Sequence, residues 1–313
     1  MATTVHSIPL QTDVPIPTWF GIGGGADALA SPRSTDELLA CLDMDPGCRV
    51  LGEGANLLVH DAGVGGVVVR LAQGEFRMVE QLPGRDGEPD SETVVWRVGA
   101  GVDLRRLITD SVRQGLGGLE GLGGIPASIG GALVMNAGGS FGQIADVVRR
   151  VFVVSRRGAR LTLERDAIGF GYRKSGLGEY IVTGCEIGLQ QGDPAKLRER
   201  LKEVMAHKKV TQPMAADSAG CCFKNPTLGR TIENIGDAGE RVGAGLLIDR
   251  AGCKGLAVGG AHVSAQHANF FPVAQGARAA DVIGLMEEVE RRVFEAFGVR
   301  LEREVVVWQR EGA

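Results

Sequence analysis

Residues 115–142 read GLGGLEGLGGIPASIGGALVMNAGGSFG, and eleven of them are glycine, against roughly 7% in an average chain. Glycine loses more conformational entropy on folding than any other residue, and it is used where φ must be positive or where the backbone must approach a ligand. A helix is predicted to begin near Ser128, and a helix N-terminus that follows a glycine-rich loop offers unpaired N–H donors to an anion. The pattern therefore predicts contact with a phosphate or a flavin, and a purely structural loop is the alternative.

A second glycine-containing loop lies nearer the N-terminus. Residues 52–58 read GEGANLL and lie between runs at 49–51 and 67–71 that are typical of β-strands. A tight turn of this kind can direct successive backbone N–H groups at one anion. The chain thus has two loops suited to a phosphate.

Size and composition exclude several classes of protein. A chain of 313 residues is long enough for two or three domains. A net charge of −4 with both signs dispersed gives no basic surface for nucleic acid. The N-terminal residues lack a signal-peptide pattern and no run reaches about 18 apolar residues, so we expect a cytoplasmic protein that does not enter a membrane. The six cysteines show no metal-ligand spacing, and we expect thiols without disulfides and no metal site.

Hydrophobic periodicity predicts the helices and strands along the chain. An amphipathic helix is predicted at 279–297, where apolar residues recur at helical spacing. Residues 82–92 are polar and contain Pro and Gly, which predicts a surface hairpin or loop. Further helices are predicted at 36–42, 103–114, 194–209 and 244–251, and further strands at 94–98, 147–155, 160–163, 181–189, 221–224 and 301–308.

Neither glycine loop matches the G-x-G-x-x-G fingerprint of Rossmann dehydrogenases, and six motifs indicate a different flavoenzyme. They are TWFGIGGGAD from Thr18, LGEGANLLVHD from Leu51, GLEGLGGIPASIGGALVMNAGG from Gly118, FGYRKS from Phe170, SAGCCFKNP from Ser218 and LEREV from Leu301. In this order they resemble the UDP-N-acetylenolpyruvoylglucosamine reductase family. The short interval between Arg173 and Cys221 resembles its compact subfamily.

The resemblance implies an α+β fold: a two-domain FAD-binding module of the vanillyl-alcohol-oxidase type and a third, α/β substrate-binding domain. The implied first lobe of the FAD-binding module is 1–72. The second lobe is 73–207, with the final strand at 301–313 returning to it, and the substrate-binding domain is 208–300.

The resemblance also implies that FAD binds without a covalent bond, at the two glycine loops. The family usually has serine where this chain has Ala55, so one hydroxyl donor to the FAD diphosphate is missing, although backbone donors can suffice. The implied FAD-binding residues are Gly52, Glu53, Gly54, Ala55, Asn56, Leu57, Gly121, Gly124, Ile125, Pro126, Ala127, Ser128, Gly130, Gly131, Asn136, Gly138 and Val182.

The family's reaction, as the resemblance implies it, takes a hydride from NADPH through the flavin to the enolpyruvyl group of UDP-N-acetylglucosamine enolpyruvate. The product, UDP-N-acetylmuramate, serves peptidoglycan synthesis. Negative charge develops beside the substrate carboxylate, so the site needs a cation and an acid. Arg173 matches the family's arginine, whose planar fork suits a carboxylate. Glu304 matches the family's carboxylate, which helps to position or stabilise the enol intermediate.

The proton donor is where this chain departs from the better-known members of the family. Their serine, in A-G-S-x-F-K-N-P, is replaced here by Cys221. A thiol has an ordinary pKa of about 8.5, far below that of an alcohol, so it can still protonate a carbanion. Successive side chains on a strand point to opposite faces, so Cys222 is expected to pack in the core.

The resemblance implies further substrate contacts, and it leaves other functions open. Lys208 and Lys209 end a predicted helix, where the helix dipole favours a positive charge, so this explanation stands equally beside binding of the substrate diphosphate. Another FAD-dependent oxidase or dehydrogenase on the same scaffold, acting on a small alcohol or hydroxy acid, is one alternative, and a flavin-binding module without turnover is another. We expect a monomer. The implied substrate contacts are Tyr172, Lys209, Asn225, Lys254 and His267.

Overall fold

The computed structural model describes residues 8–83, 93–213 and 216–310. Contacts between Cα atoms divide the chain into two compact units. Residues 15–26 and 54–65 group with the C-terminal part of the chain, which differs from the predicted boundary at residue 72. The division of the first unit into two lobes stays a prediction. Of the described residues, the first unit comprises 8–14, 27–53, 66–83 and 93–208, and the second comprises 15–26, 54–65, 209–213 and 216–310.

The chain combines helices with sheets, of which the larger is antiparallel, as in an α+β fold. Among the described residues the helices are α1 (Thr35–Met44), α2 (Leu104–Arg113), α3 (Ile129–Val134), α4 (Pro194–Thr211), α5 (Ala244–Arg250) and α6 (Ala279–Phe297). The strands are β1 (Leu10–Pro15), β2 (Gly25–Ala30), β3 (Arg49–Leu51), β4 (Leu57–Val59), β5 (Val64–Arg70), β6 (Val79–Gln81), β7 (Thr93–Gly99), β8 (Leu116–Gly117), β9 (Gly138–Gly139), β10 (Gly142–Gln143), β11 (Val148–Ser155), β12 (Arg160–Glu164), β13 (Tyr180–Gln191), β14 (Ala257–Val258), β15 (Ala261–His262) and β16 (Val306–Trp308). Short 3₁₀ helices lie at Gly74–Arg77, Glu120–Leu122, Ile144–Asp146, Arg165–Ala167 and Leu177–Glu179.

The first unit is built around two sheets. A four-stranded sheet has the order β1-β2-β5-β3, with β3 parallel to β5. The larger sheet has the order β12-β11-β13-β7-β6, and β8 also pairs with β13. Its central pairs are antiparallel. Helix α2 buries Leu104, Leu107 and Ile108 against this core, and the Asp103 side chain caps the helix by accepting the Arg106 N–H at 2.9 Å.

The second unit has its own apolar core, which is supplied largely by α6. The buried residues Val282, Leu285, Met286, Val289 and Val293 recur at helical spacing along this helix. The helix ends at Gly298, whose φ of 68° lies in the left-handed region that favours glycine at this position. The predicted bounds of this helix are confirmed, because its sequence periodicity is strong and its cap is local.

Two predictions about the second unit are wrong. Residues 221–224 do not form a regular strand, since Cys221 and Phe223 make only isolated bridges, to Phe270 and Arg303. The final strand is short, and β16 pairs in parallel with β4 of its own unit, not with residues 73–207. Both errors have the same cause, which is that these segments pair with residues far apart from them in the chain. Of the predicted loop at 82–92, residues 84–92 lie outside the described residues.

Disulfides, metal sites and membrane-spanning helices, on which composition led to predictions, can be examined in the described residues. All six cysteines are among them, and none is in a disulfide. Within the described ranges, no cluster of His, Cys, Asp and Glu has the arrangement of a metal site. No helix in the part of the chain that the structure describes is long and apolar enough to cross a membrane.

Candidate active site

Helix α3 begins within the glycine-rich segment of the first unit, as predicted. Ser128 is its N-cap, and the Oγ atom accepts the Gly131 N–H at 3.3 Å. The first two helical N–H groups donate to the carbonyl oxygens of Val102 and Ala100, at 2.9 and 2.7 Å. The prediction that the helix N-terminus offers unpaired donors is therefore wrong. The turn that precedes α2 satisfies them, and nothing in the local sequence indicates this partner.

Backbone N–H donors remain available to a ligand in the loop that precedes α3. Among the described residues, no hydrogen bond uses the backbone N–H of Gly124 or Ala127. A Cβ atom built on Gly52 would lie 2.8 Å from the Oγ of Ser128, so part of the first predicted phosphate loop lies against the second. The Ser128 hydroxyl uses its oxygen as an acceptor, and its hydrogen can be donated to a ligand.

Not every glycine of this segment serves a ligand. A Cβ atom on Gly121 would lie 2.3 Å from the carbonyl oxygen of Phe141, and one on Gly138 would lie 2.6 Å from the Cβ of Gln143. Here the chain approaches itself, so glycine is required for packing. Ile125 and Ala127 pack against the hydrophobic core, and Val182 is part of it.

Asn136 has a structural role in the first unit. It is buried, with a left-handed φ of 43°. Its Nδ2 donates to Gln143 Oε1 and to the carbonyl oxygen of Gly171, both at 2.9 Å, and its Oδ1 accepts the Ala145 N–H at 3.3 Å. Both amide hydrogens are thus used within the protein. Asn136 fixes the segment between α3 and Gly171 and has no hydrogen left for FAD.

Arg173, the predicted carboxylate-binding residue, is held in the same unit. Its φ of 55° is rare for a residue other than glycine. Its Nη1 donates to the carbonyl oxygen of Gly138 at 2.8 Å, and its guanidinium carbon lies 5.5 Å from the centre of the Tyr172 ring. A strained backbone that two contacts hold in place is typical of a functional site. Tyr172, predicted to contact the substrate, is therefore a direct neighbour of Arg173.

Lys208, which the sequence leaves open as a helix-end cation or a diphosphate contact, is a functional candidate in the structure. Its Nζ donates to the carbonyl oxygen of Gly123 at 2.6 Å. Burial, together with the smaller effect of the positive charge of Arg173, lowers the pKa of Lys208 to about 8. Lys209, which was selected, is exposed. The sequence does contain an indication that Lys208 is partly buried. It lies four residues after Val204, the buried residue of α4, and hence on the same helical face.

In the second unit, the turn at residues 54–56 supplies backbone donors. Gly54 has a φ of 66°, and a Cβ atom there would lie 2.2 Å from the carbonyl oxygen of Pro17. No hydrogen bond among the described residues uses the N–H of Gly54 or Ala55. The Nδ2 of Asn56 donates to the carbonyl oxygen of Glu304 at 2.9 Å. The turn is thus held by its own unit and leaves two neighbouring N–H groups for an anion.

Cys221 and Glu304 are brought close together through the backbone of Cys222. The Glu304 N–H donates to the Cys222 carbonyl at 2.7 Å. Cys222 is fully buried, whereas Cys221 is half-buried. Burial raises the pKa of the Cys222 thiol well above its ordinary value, with smaller contributions from Cys221 and Glu304. A proton donor to the substrate must be accessible, so Cys221 is the candidate and Cys222 is a packing residue, as expected.

Asn269 holds this segment, and the sequence analysis missed it. It is buried, with 1% of its surface exposed. Its Oδ1 accepts the Phe223 N–H at 2.9 Å, its Nδ2 donates to the Phe223 carbonyl at 2.8 Å, and its own carbonyl accepts the Cys222 N–H at 2.8 Å. The side chain replaces the neighbouring strand that residues 221–224 lack. The signal for it was a polar amide between Ala268 and Phe270, within an apolar run.

Contacts within the protein hold the substrate residues predicted in the second unit. Asn225 Oδ1 accepts the Ala244 N–H, the first of α5, at 2.9 Å. Lys254 forms an ion pair with Asp249, at 2.8 Å between Nζ and Oδ2. Burial lowers the pKa of His267, and Lys254 contributes in the same direction.

Gln266 is a second residue that the sequence analysis missed. Its Nε2 donates to the carbonyl oxygens of Val210 and Gln212, at 3.0 and 3.1 Å, which terminates α4 just after Lys209. It joins the segment that carries Lys209 to the loop that carries His267.

The donors described in each unit fit FAD. They are neutral N–H groups and one hydroxyl on tight turns, which suit a diphosphate, and no metal is needed to hold it. Gly124, Ala127 and Ser128 carry this fit in the first unit, and in the second unit the turn at Gly54 and Ala55 offers donors of the same kind. Asn136, Gly121, Gly138 and Val182 serve the protein's own packing, and direct contacts between them and FAD stay a prediction.

Comparisons with known proteins show the family to which the chain belongs. Residues 26–164 match the family described as FAD binding domain, and residues 212–308 match UDP-N-acetylenolpyruvoylglucosamine reductase, C-terminal domain. The chain is 39% identical over 293 residues to a UDP-N-acetylenolpyruvoylglucosamine reductase of Syntrophobacter fumaroxidans, covering 92% of this chain and 80% of the relative. It is 38% identical over 319 residues to the reductase of that name from Desulfosudis oleivorans, covering 97% and 96%.

A solved structure supports the same relationship. The UDP-N-acetylenolpyruvylglucosamine reductase of Thermus caldophilus is similar to this chain with a TM-score of 0.79 and 39% sequence identity. The similarity covers 96% of this chain and 100% of that one.

Proposed function

Because the chain belongs to the UDP-N-acetylenolpyruvoylglucosamine reductase family and is an FAD-dependent oxidoreductase, we propose that it reduces UDP-N-acetylglucosamine enolpyruvate to UDP-N-acetylmuramate. NADPH is the proposed hydride donor, and the product enters peptidoglycan precursor synthesis. The hydrogen bond of 2.7 Å between Glu304 N–H and the Cys222 carbonyl is the observation that carries the proposal. It holds the backbone of Glu304, the proposed carboxylate residue, against the residue that follows Cys221, the proposed proton donor.

FAD supplies hydride transfer, first from NADPH and then to the terminal vinyl carbon of the substrate. In the first unit, the backbone N–H groups of Gly124 and Ala127 and the hydroxyl of Ser128 are proposed donors to FAD. In the second unit, the backbone N–H groups of Gly54 and Ala55 are proposed for the same role. These groups are neutral and preorganised by tight turns, so they bind the diphosphate without reorganising. The missing hydroxyl at Ala55 is compatible with binding because two backbone donors remain at that turn.

Arg173 is the proposed partner of the substrate carboxylate. One Nη atom is fixed on the Gly138 carbonyl, which orients the planar guanidinium before the substrate arrives. Lys208 adds a second positive charge beside it. As hydride reaches the vinyl carbon, negative charge develops on the neighbouring carbon and the carboxylate, and these cations stabilise it.

Cys221 is the proposed acid that protonates this neighbouring carbon. Its thiol hydrogen passes to the carbon, and the resulting thiolate regains a proton from water after the product leaves. Glu304 is proposed to orient the enol form of the intermediate. Because the Glu304 backbone is bonded to Cys222, the backbone that carries the carboxylate is held beside the residue that follows Cys221.

Tyr172, Lys209, Asn225, Lys254 and His267 stay proposed contacts of the nucleotide substrate. Tyr172 has the strongest support, since it stacks beside Arg173. Asn225 and Lys254 have the weakest, since each already has a partner within its own unit. A monomer acting in the cytoplasm completes the proposal, on the basis of the sequence alone.

An anaerobic absorbance experiment tests the function. NADPH should bleach the bound flavin, and UDP-N-acetylglucosamine enolpyruvate should restore its colour with one equivalent of UDP-N-acetylmuramate formed. Bleaching by NADPH with no recovery on the enolpyruvyl compound would indicate another substrate on the same scaffold. A flavin that NADPH does not bleach, while a small alcohol or hydroxy acid does, would indicate an oxidase.

A further inference from the structure

Asn56 lies in the turn predicted to bind FAD, but its side chain bonds to the backbone of Glu304. Taking the proposed function as a premise, we propose that Asn56 is a positioning residue for Glu304. In this role its amide holds the catalytic carboxylate in register with the cofactor turn, and it serves the second half-reaction more than the binding of FAD.

Two hydrogen bonds join Asn56 to the segment that carries Glu304. The Nδ2 atom donates to the Glu304 carbonyl at 2.9 Å, and the Asn56 carbonyl accepts the Val306 N–H at 3.0 Å. Immediately beyond them, β4 and β16 pair in parallel, with Val306 opposite Leu57. The side-chain bond therefore extends this two-stranded ladder by one more contact, up to Glu304 itself.

The other side of the Glu304 residue is also held. Its N–H donates to the Cys222 carbonyl at 2.7 Å, and the next N–H, of Val305, points to the same carbonyl at 3.4 Å. The carbonyl of Glu304 is bonded to Asn56 and its N–H to Cys222, so both peptide groups that flank its Cα are fixed. The direction of the Cα–Cβ bond of Glu304, from which its side chain starts, follows from this, because φ and ψ are the only soft backbone angles.

The chemistry of residue 56 is specific for this bond. A carbonyl oxygen needs an N–H or O–H donor, and Asn supplies one on a short side chain, whereas Asp has the same shape and only accepts at neutral pH. One of the two Asn56 amide hydrogens is used by Glu304. The role toward Glu304 is thus independent of any contact that the other hydrogen makes with FAD.

A double-mutant cycle on the FAD-loaded enzyme tests the proposal, with Asn56→Ala, Glu304→Gln and the double variant. Flavin reduction by NADPH and reoxidation by the enolpyruvyl substrate are each measured by stopped-flow absorbance. The FAD dissociation constant is measured by flavin fluorescence. Asn56→Ala should slow reoxidation by about 10²-fold, because a misplaced catalytic group loses its alignment. It should change the reduction rate and the FAD dissociation constant by less than about 5-fold.

The double variant distinguishes a role through Glu304 from a separate one. If Asn56 acts through the carboxylate, adding Asn56→Ala to Glu304→Gln should slow reoxidation by less than about 3-fold further, since residues that act as a unit are not additive. Asn56→Asp should reproduce the loss of Asn56→Ala with the shape of the side chain kept. Asn234→Gly, which removes an exposed amide from the same unit at a residue with positive φ, should leave all three measurements unchanged.

Three results would overturn the proposal. The first is a loss of FAD affinity that accounts for the whole effect of Asn56→Ala, which would make Asn56 a cofactor ligand. The second is full additivity in the cycle. The third is a Glu304→Gln enzyme that reoxidises at the wild-type rate. A wild-type flavin that the enolpyruvyl substrate does not reoxidise would instead reject the proposed function, and this inference with it.

Discussion

Two segments of the molecule prepare for ligands in different ways. Residues 115–142 of the first unit present backbone groups, and their shape comes from local turns and one short capped helix. Residues 218–226 of the second unit present side chains, and their shape comes from distant residues, since Asn269, Glu302 and Glu304 supply hydrogen bonds to residues 222–224. The first segment is suited to holding a constant part of a cofactor, whereas the second is suited to placing one reactive atom.

This difference predicts how substitutions will act. A backbone donor cannot be removed by changing its own side chain, so the glycine-rich segment should tolerate loss of single polar side chains. In residues 218–226, the cysteine segment, no other group can replace a reactive side chain. Its loss should therefore affect one chemical step. Side-chain variants of the second unit should therefore separate the two half-reactions.

The largest effect is expected for Cys221→Ala. Loss of the acid should slow reoxidation of the flavin by the enolpyruvyl substrate by about 10³-fold, within the range for general acid catalysis. Reduction by NADPH should stay within a few-fold of the wild type, and Cys221→Ser should retain substantial activity. Stopped-flow absorbance measures both steps.

The adjacent thiol is the matched control for Cys221. Cys222→Ala removes a buried sulfur and should lower stability without changing either half-reaction by more than a few-fold. If Cys222→Ala abolishes reoxidation while Cys221→Ala keeps it, the acid is assigned to the wrong cysteine.

A smaller loss is expected for Arg173→Lys, which keeps the charge and removes the planar fork. Reoxidation should slow by about 10²-fold, as expected when one preorganised donor to developing negative charge is removed. FAD content and reduction by NADPH should change little. Equal slowing of both half-reactions would show that Arg173 is not specific for the enolpyruvyl carboxylate.

The regular elements could be predicted from the sequence because their signals are local. Helix α6 has the predicted bounds, and helix α2 begins at the Asp103 cap, as its sequence pattern indicates. Strands β7, β11 and β13 lie within two residues of their predicted ends. Each combines hydrophobic periodicity with turn residues at its ends, so no distant partner is needed to recognise it.

The errors share one physical cause, which is dependence on distant partners. The N-terminal amides of α3 are bonded to Ala100 and Val102, and residues 221–224 are held by Asn269 in place of a neighbouring strand. The final strand pairs with β4, about 250 residues earlier in the chain. Composition and periodicity describe which groups need partners, but they do not describe which residues provide them.

The candidate site shows the same difference between local signals, which could be predicted, and distant contacts, which could not. The motifs indicated Cys221, Arg173 and Glu304 by resemblance, and the burial of Cys222 agrees with strand alternation even though the segment is not a regular strand. The supporting residues Asn269 and Gln266 were not selected, and Lys208 was left open, because their roles arise from contacts across loops. A site's reactive groups are thus easier to predict than the groups that hold them.

Asn269→Leu tests how far the cysteine segment depends on its distant support. The change removes both amide hydrogen bonds to Phe223 and leaves a buried N–H and a buried carbonyl without partners, which should cost about 2–4 kcal/mol of the free energy of unfolding. Urea denaturation followed by circular dichroism measures the loss. Reoxidation should also slow, because Cys221 is next to the loosened segment.

Asn136 is the counterpart of Asn269 in the first unit and serves as its control. Asn136→Leu should lower stability by at least as much, since its hydrogen bonds are also internal and leucine is disfavoured at its φ of 43°. It should leave the proton-transfer step intact in the enzyme that retains FAD. If both variants impair reoxidation equally, the proposed difference between the two segments is wrong.

The smallest effect is a pH dependence of stability that arises from Lys208. Burial lowers the pKa of Lys208 to about 8 in the folded state from an ordinary value of 10.5. Between these values the unfolded chain binds more protons than the folded chain, so the contribution of Lys208 to stability rises with pH through this window. Below pH 8 the lysine is charged in both states and the cost of burying the charge is fully present. The difference in thermal midpoint between the wild type and Lys208→Met should therefore move in favour of the wild type from pH 7.5 to pH 9.5. Lys209→Met, which removes an exposed charge one residue away, should give a difference that is flat over this range. A flat difference for Lys208→Met as well would mean that Lys208 titrates like an exposed lysine, and its place beside Arg173 would then lose its electrostatic support.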